Sequence, residues 1–132
     1  MALTACYAGL LAVLFVGLSF RVIGVRRSAR VALGDQGNIA LQRRIRAHAN
    51  FAEYVPLAVV LMGLAEGLAA PAILLHGLGA GLIAGRLLHA FGISREHEKL
   101  WMRVGGMVLT FAVILAGALA CLSLGLPKLG RI

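Results

Sequence analysis

Four long apolar runs confine this chain to a membrane. Crossing the hydrocarbon of a bilayer as a helix takes ~20 predominantly apolar residues. The stretches 2–20, 47–70, 71–91 and 104–126 each meet or approach that length. Of the 132 residues, 61% are hydrophobic and only 14% are charged. A soluble domain of this size has too little interior to hide so much apolar surface. The expected architecture is all-α: an integral membrane four-helix bundle of up-down topology, with 1–132 as a single domain. Few residues lie outside the runs, which leaves no room for a soluble domain.

The cations read as topology signals. Lys and Arg exceed Asp and Glu by 13 to 5, a balance that on a soluble chain would suggest nucleic acid. Here the cations sit between apolar runs, so no nucleic-acid partner is expected. The first connection carries seven (Arg21, Arg26, Arg27, Arg30, Arg43, Arg44 and Arg46), and the region of the third carries Arg86, Arg95, Lys99 and Arg103. The second, around Glu66 and Pro71, carries none, and the tail carries Lys128 and Arg131. Cytoplasmic loops concentrate Lys and Arg, so loops one and three are expected inside and both termini outside. The first run lacks the positive n-region of a secretory signal, because its cations follow the apolar stretch.

Gly34-Asp35-Gln36-Gly37-Asn38 is a dense turn signal, and Asn38 or Asp35 is placed to cap a helix that enters the membrane near Ala47. Helix two is then expected to be the longest, with an amphipathic cytoplasmic extension. The third run holds GxxxG spacings, Gly77 to Gly81 and Gly81 to Gly85, whose first meaning is close helix packing. Cys6 and Cys121 lie inside apolar runs and lack the spacing of a zinc site or a disulfide framework.

Polar residues inside the runs mark the candidate site, because ionisable groups within a span usually face a bundle interior. Arg46, Asn50 and Glu53 follow i, i+4, i+7 and so share a stripe of one helix face. An unpaired carboxylate at the depth of Glu53 would take up a proton, so it needs a cation or donors. Two candidates stand: a cation from a neighbouring helix, in a purely structural ion pair, or a ligand's ammonium. Arg86 and His89 share a face of the third helix. With Arg26 and Arg27 after helix one and Arg103 at the start of helix four, cations are expected to converge at the depth of Asn50 and Glu53. Guanidinium groups grip carboxylates in a bidentate fashion. The set therefore suits a small molecule bearing several carboxylates and one ammonium. For Arg26, Arg27 and Arg30 the plain alternative is an ordinary cationic flank meeting lipid phosphates.

Other polar residues carry less. Glu96-His97-Glu98 has a metal-like composition, but adjacent residues on a helix point apart, so no metal is expected. His48 faces away from Asn50 and reads as interfacial. His76 lies in the outward half of helix three and calls for a local hydrogen-bond partner. Trp101 and Tyr54 fall near the membrane interface, where aromatic belts form.

The run Arg43-Arg-Ile-Arg-Ala-His-Ala-Asn-Phe-Ala-Glu-Tyr-Val-Pro56 resembles the signature of the MAPEG family, the membrane-associated proteins in eicosanoid and glutathione metabolism. Its core is R-x-x-x-N-x-x-E-x-x-P from Arg46. Leu33-Gly-Asp-Gln-Gly-Asn38 and Gly85-Arg-Leu-Leu-His-Ala-Phe-Gly92 are similar to the family's bacterial branch, which implies a bacterial inner membrane. The resemblance implies a homotrimer that binds glutathione between adjacent subunits near the cytoplasmic leaflet. Arg46, Asn50, Glu53 and Tyr54 match positions that hold the tripeptide, and Arg86 matches a third-helix arginine of that site. His89 falls beside Arg86, and Arg26 precedes Arg27, which matches a position given a catalytic role in one branch. Arg103 resembles the arginine that stabilises the glutathione thiolate. The family's well-studied enzymes carry tyrosines on helix three where this chain has His89 and Ile93.

The implied activity is a glutathione transferase or peroxidase acting on hydrophobic electrophiles or lipid hydroperoxides. A guanidinium beside the thiol favours the thiolate, the reactive nucleophile. The alternative is a membrane protein that binds glutathione or lipid without turnover. A proton-coupled exporter would need a carboxylate near the midplane, whereas Glu53 and Glu66 stand toward opposite ends.

Overall fold

The computed structural model describes residues 1–94 and 99–129. They form four helices: α1 (Ala2–Ala29), α2 (Ile39–Gly67), α3 (Ala72–Ile93) and α4 (Leu100–Leu129). Each is long and apolar enough to cross a membrane. Neighbours along the chain run in opposite directions, and α2 and α4 are parallel. Asn50 sits level with Met107 through their shared contact with Arg86, and the Tyr54 ring meets that of Phe111 edge-on at 5.3 Å. Farther along the same two helices, the Cys121 thiol donates to the Leu61 carbonyl at 3.3 Å.

The helices outrun the apolar stretches that announce them. Arg21 does not end the first helix, which continues to Ala29. Apolarity marks where lipid begins, whereas a helix stops where its last carbonyls find other donors. At the end of α1, Val31 N–H returns to Arg26 O at 3.0 Å and Arg30 N–H to Arg27 O at 3.3 Å. Arg30 itself takes the left-handed conformation, with φ 55° and ψ 36°. The second helix ends by the same device, with Ala69 at φ 67° and Ala70 N–H bonded to Ala65 O at 3.0 Å. The paired backward bonds form a Schellman arrangement at both sites.

The loop between α1 and α2 is built as a turn followed by a cap. Asp35 Oδ1 accepts from Gly37 N–H at 3.0 Å, while Gly34 and Gly37 take positive φ values that a side chain would strain. Asn38 is the N-cap of α2, its Oδ1 accepting from Leu41 N–H at 3.0 Å. α2 does extend ahead of its apolar run, starting at Ile39, but α4, at 30 residues against 29, is the longest helix. It begins before Val104 and continues through Pro127, whose ring removes one backbone hydrogen bond close to the C-terminal end.

α2 and α3 each touch both α1 and α4, while α1 and α4 do not meet among the described residues. The buried core runs along the shared faces, through Leu11, Leu18, Phe51, Met62, Leu78, Leu82 and Val113. Val13, Phe20, Ile73, Val108, Leu115 and Leu119 project outward, a belt suited to lipid and not to water. α3 and α4 approach most closely where Gly85 faces Gly106: a Cβ on Gly106 would stand 2.6 Å from the Gly85 carbonyl oxygen. The expected GxxxG packing is therefore carried by Gly81 and Gly85, while Gly77 faces open space.

Candidate functional site

The third helix delivers a guanidinium to the centre of the bundle. Arg86 is only 1% exposed. Its Nη1 donates to the backbone carbonyl of Asn50 at 3.3 Å and its Nη2 to Met107 Sδ at 3.3 Å. Nε has no partner among the described residues. A guanidinium presents five donors and no acceptor, so two long bonds leave it undersatisfied. No carboxylate lies within 4 Å of Arg86 among the described residues. The close approach of Gly85 to α4 draws the two helices together around it, with Thr110 fully buried and its hydroxyl donating to Gly106 O at 2.8 Å.

The stripe on α2 lies beside this charge. Asn50 is half-buried, and Arg46 and Glu53 are exposed on the surface of the single chain. Glu53 makes no ion pair among the described residues. Of the two partners expected for it, a cation from a neighbouring helix is not supplied by the described part of the same chain. Tyr54, one residue on, is half-buried against Phe111.

His89 is buried at 3% exposure with its backbone against Gly106, and Ile93 is buried one turn later. Arg103 is exposed in the first turn of α4, at the level of Gly92. It lies four residues before Met107, about 6 Å toward the loop at 1.5 Å per residue. Arg46 holds the same level on α2, four residues before Asn50.

The cations of α1 stand elsewhere. Ser19 is level with His48, its Oγ 3.0 Å from His48 Nε2, which puts Arg26 and Arg27 roughly 13 Å farther from the bilayer centre than Asn50. Arg26 Nη1 donates to Gly34 O at 2.8 Å and so ties the loop to the end of α1. Arg27 is exposed. The expected convergence thus holds for Arg86 and, one turn away, for Arg46 and Arg103. Within one chain it does not hold for Arg26 and Arg27, because α1 overshoots by more than two turns.

Sequence reasoning passed over several participants. Met107, Thr110 and Phe111 lie on a helix with no charge in its apolar run, and only its glycines hinted at close packing against Arg86. At the opposite end of the bundle, Glu66 accepts from the amides of Leu3 at 3.0 Å and Thr4 at 2.8 Å, with the Met1 ammonium at 3.5 Å. His76 finds the local partner it required in the Tyr7 hydroxyl, 3.0 Å from its Nδ1. Glu96, His97 and Glu98 lie outside the described residues.

The sequence has been compared with known families and proteins. The model of the MAPEG family matches residues 4–123. The "Inner membrane protein YecN" of Escherichia coli strain K12 is 41% identical over 117 residues, covering 89% of this chain and 88% of that protein. Its counterpart of the same name in Escherichia coli O6:H1 matches with the same identity and coverage. Signature stripe, four-helix plan and matched length agree, and the chain belongs to the MAPEG family.

Proposed function

We propose that this protein binds glutathione and uses its thiolate against hydrophobic electrophiles or lipid hydroperoxides. The observation that carries the reading is the buried Arg86 guanidinium, which has no carboxylate among the described residues, beside a helix face on which Glu53 has no ion-pair partner among them. Glutathione offers the missing chemistry: two carboxylates for guanidinium groups and one ammonium for Glu53. Arg46, Asn50, Tyr54 and Arg86 hold the peptide, and His89 fixes the wall behind Arg86. Arg103 stabilises the thiolate by its charge, and Arg27, too far out to reach the site of its own chain, closes the loop side of a neighbouring subunit's site. The thiolate sulfur then forms a bond to an electrophilic carbon and expels a leaving group as its anion. At an activated alkene the π pair shifts instead to a carbon that takes a proton from water. With a hydroperoxide the thiolate attacks the terminal oxygen. The O–O bond breaks, the alkoxide leaves and is protonated to the alcohol, and a second glutathione thiol attacks the resulting sulfenic acid to give the disulfide and water.

Arg46, Glu53 and Arg103 all lie on the outer surface of the single chain. A second subunit supported against that face would enclose the ligand, in keeping with a homotrimer that shares sites between neighbours. On this reading loops one and three face the cytoplasm and both termini lie outside, which the cation-rich first and third connections support. The name of the Escherichia coli relative supports an inner-membrane location.

Equilibrium binding of glutathione to the detergent-solubilised protein tests the reading. Saturable binding by the wild type, reduced at least tenfold in Glu53→Gln and Arg46→Ala, is expected. No binding by a wild type whose oligomer is intact would overturn it. A second reading, binding without turnover, draws on His89 and Ile93, which are buried where the well-studied enzymes of the family carry tyrosines. Full binding with no product over a panel of electrophiles and peroxides would select it.

A further inference from the structure

The two groups that hold Arg86 differ in kind. Its Nη1 donates to the backbone carbonyl of Asn50, which cannot leave without disturbing α2. Its Nη2 donates to the Met107 thioether, at the same 3.3 Å. A thioether is a weak acceptor, and it sits on a side chain that turns about three bonds. Nε, which shares one edge of the guanidinium with Nη2, has no partner among the described residues. Along such an edge a carboxylate accepts two parallel N–H bonds. The edge is held here by nothing stronger than sulfur.

Met107 also stands on the way out. Arg86 is enclosed, whereas Met107 is half-buried. It lies one turn from each of Arg103 and Phe111, on the stripe of α4 that meets α2, where the Phe111 ring touches that of Tyr54. The opposite side of this stretch of α4 is rigid. A Cβ on Gly106 would stand 2.5 Å from the His89 amide nitrogen and 2.6 Å from the Gly85 carbonyl oxygen, so α3 and α4 touch there through backbone. A carboxylate or amide at position 107 would lock the guanidinium by a charge-assisted bond. A leucine would leave Nη2 without that acceptor. Methionine does neither: it holds the group loosely and can move aside.

We propose that Met107 is a displaceable cover on the Arg86 guanidinium. Its thioether occupies Nη2 until a ligand carboxylate takes the edge formed by Nε and Nη2, and the side chain then swings toward the outer face of α2 and α4. Asn50 keeps Nη1 throughout and so fixes the plane in which the carboxylate is met. Met107 is thereby a positioning residue that sets how tightly the carboxylate is held. The inference rests on the reading of this site as one for glutathione.

The test is a glutathione titration of the full-length protein in detergent, with isotope-labelled methionine methyls followed by NMR. The chain has four methionines, and the Met107 signal is the one lost in Met107→Leu. Glutathione is expected to move that signal toward the position of a freely rotating methionine. The signal of Met62, buried about three turns beyond Asn50 on α2, is expected to stay in place. Affinity gives a second readout, because leucine keeps the bulk without an acceptor and glutamine brings a stronger one. Met107→Leu is expected to bind glutathione about threefold tighter, and Met107→Gln about tenfold weaker. A role in packing alone would move both variants in the same direction. Met62→Leu, the same exchange away from Arg86, is expected to leave the affinity unchanged. A Met107 methyl that does not respond to bound glutathione overturns the cover while glutathione binding stands. So do two variants that shift alike or not at all, or a gain matched by Met62→Leu. Absence of binding by the wild type overturns the glutathione reading and the cover together.

Discussion

Arg86 shows what one residue can and cannot disclose before the chain is folded. Its place inside an apolar run marked it, since lipid forbids an idle guanidinium. That its donors would go to the Asn50 carbonyl and the Met107 sulfur depends on where α2 and α4 fall, which no local pattern encodes. Arg103 is the reverse case: ordinary in sequence, exposed in the fold, and meaningful through the ligand it is assigned. Replacing it with Gln is expected to raise the pKa of bound glutathione's thiol by about one unit or more, the effect of losing a nearby cation. Thiolate absorbance against pH reads this directly, and an unchanged titration removes Arg103 from the chemistry. Glu66 belongs to the same scale. It was legible only as an acid near a loop, yet its two oxygens cap the first amides of another helix. Glu66→Gln leaves one acceptor for two donors, so amide exchange at Leu3 and Thr4 is expected to accelerate while the centre of α1 stays protected.

Elements were legible in number, order and up-down alternation, because four apolar runs joined by shorter connections leave few other arrangements. Their ends were not. The first apolar run stops before Arg21 while α1 continues to Ala29, because an arginine at the interface extends its charge to water while its backbone stays helical. The cap at Asn38 was readable, since a turn-rich segment followed by helix formers is a local signal. The endings at Arg30 and Ala69 were hidden, because neither residue is the glycine that normally advertises a left-handed cap. That departure yields an expectation. An L-residue in the left-handed region carries a cost of about 1–2 kcal/mol, which glycine escapes. Ala69→Gly is therefore expected to stabilise the protein by about 1 kcal/mol, seen as a higher midpoint in thermal or denaturant unfolding in detergent.

At the scale of the whole molecule, the site residues divide between an interior and an outer face. Arg86 is enclosed by its own bundle, while Arg46, Glu53 and Arg103 look outward. The sequence named these residues but could not sort them, because spacing along one helix says nothing of which side a neighbouring molecule covers. If each ligand is gripped by α2 of one subunit and by Arg27 of the next, two defective chains can repair one another. Glu53→Gln and Arg27→Gln, each defective in turnover alone, are expected to regain roughly a quarter of it when assembled together. This follows the chance pairing of intact halves, a form of shared-site coupling between subunits. No recovery in mixed oligomers would place both residues in one subunit's site.

The cap that Glu66 provides also bears on how the protein is made. The first amides of α1 have their acceptor some sixty residues farther along the sequence. They are satisfied only when the second helix has crossed in the opposite direction and brought its last turn alongside. The hairpin of the first two helices thus closes its own open end, and until α2 has crossed the amides of Leu3 and Thr4 stay open to water.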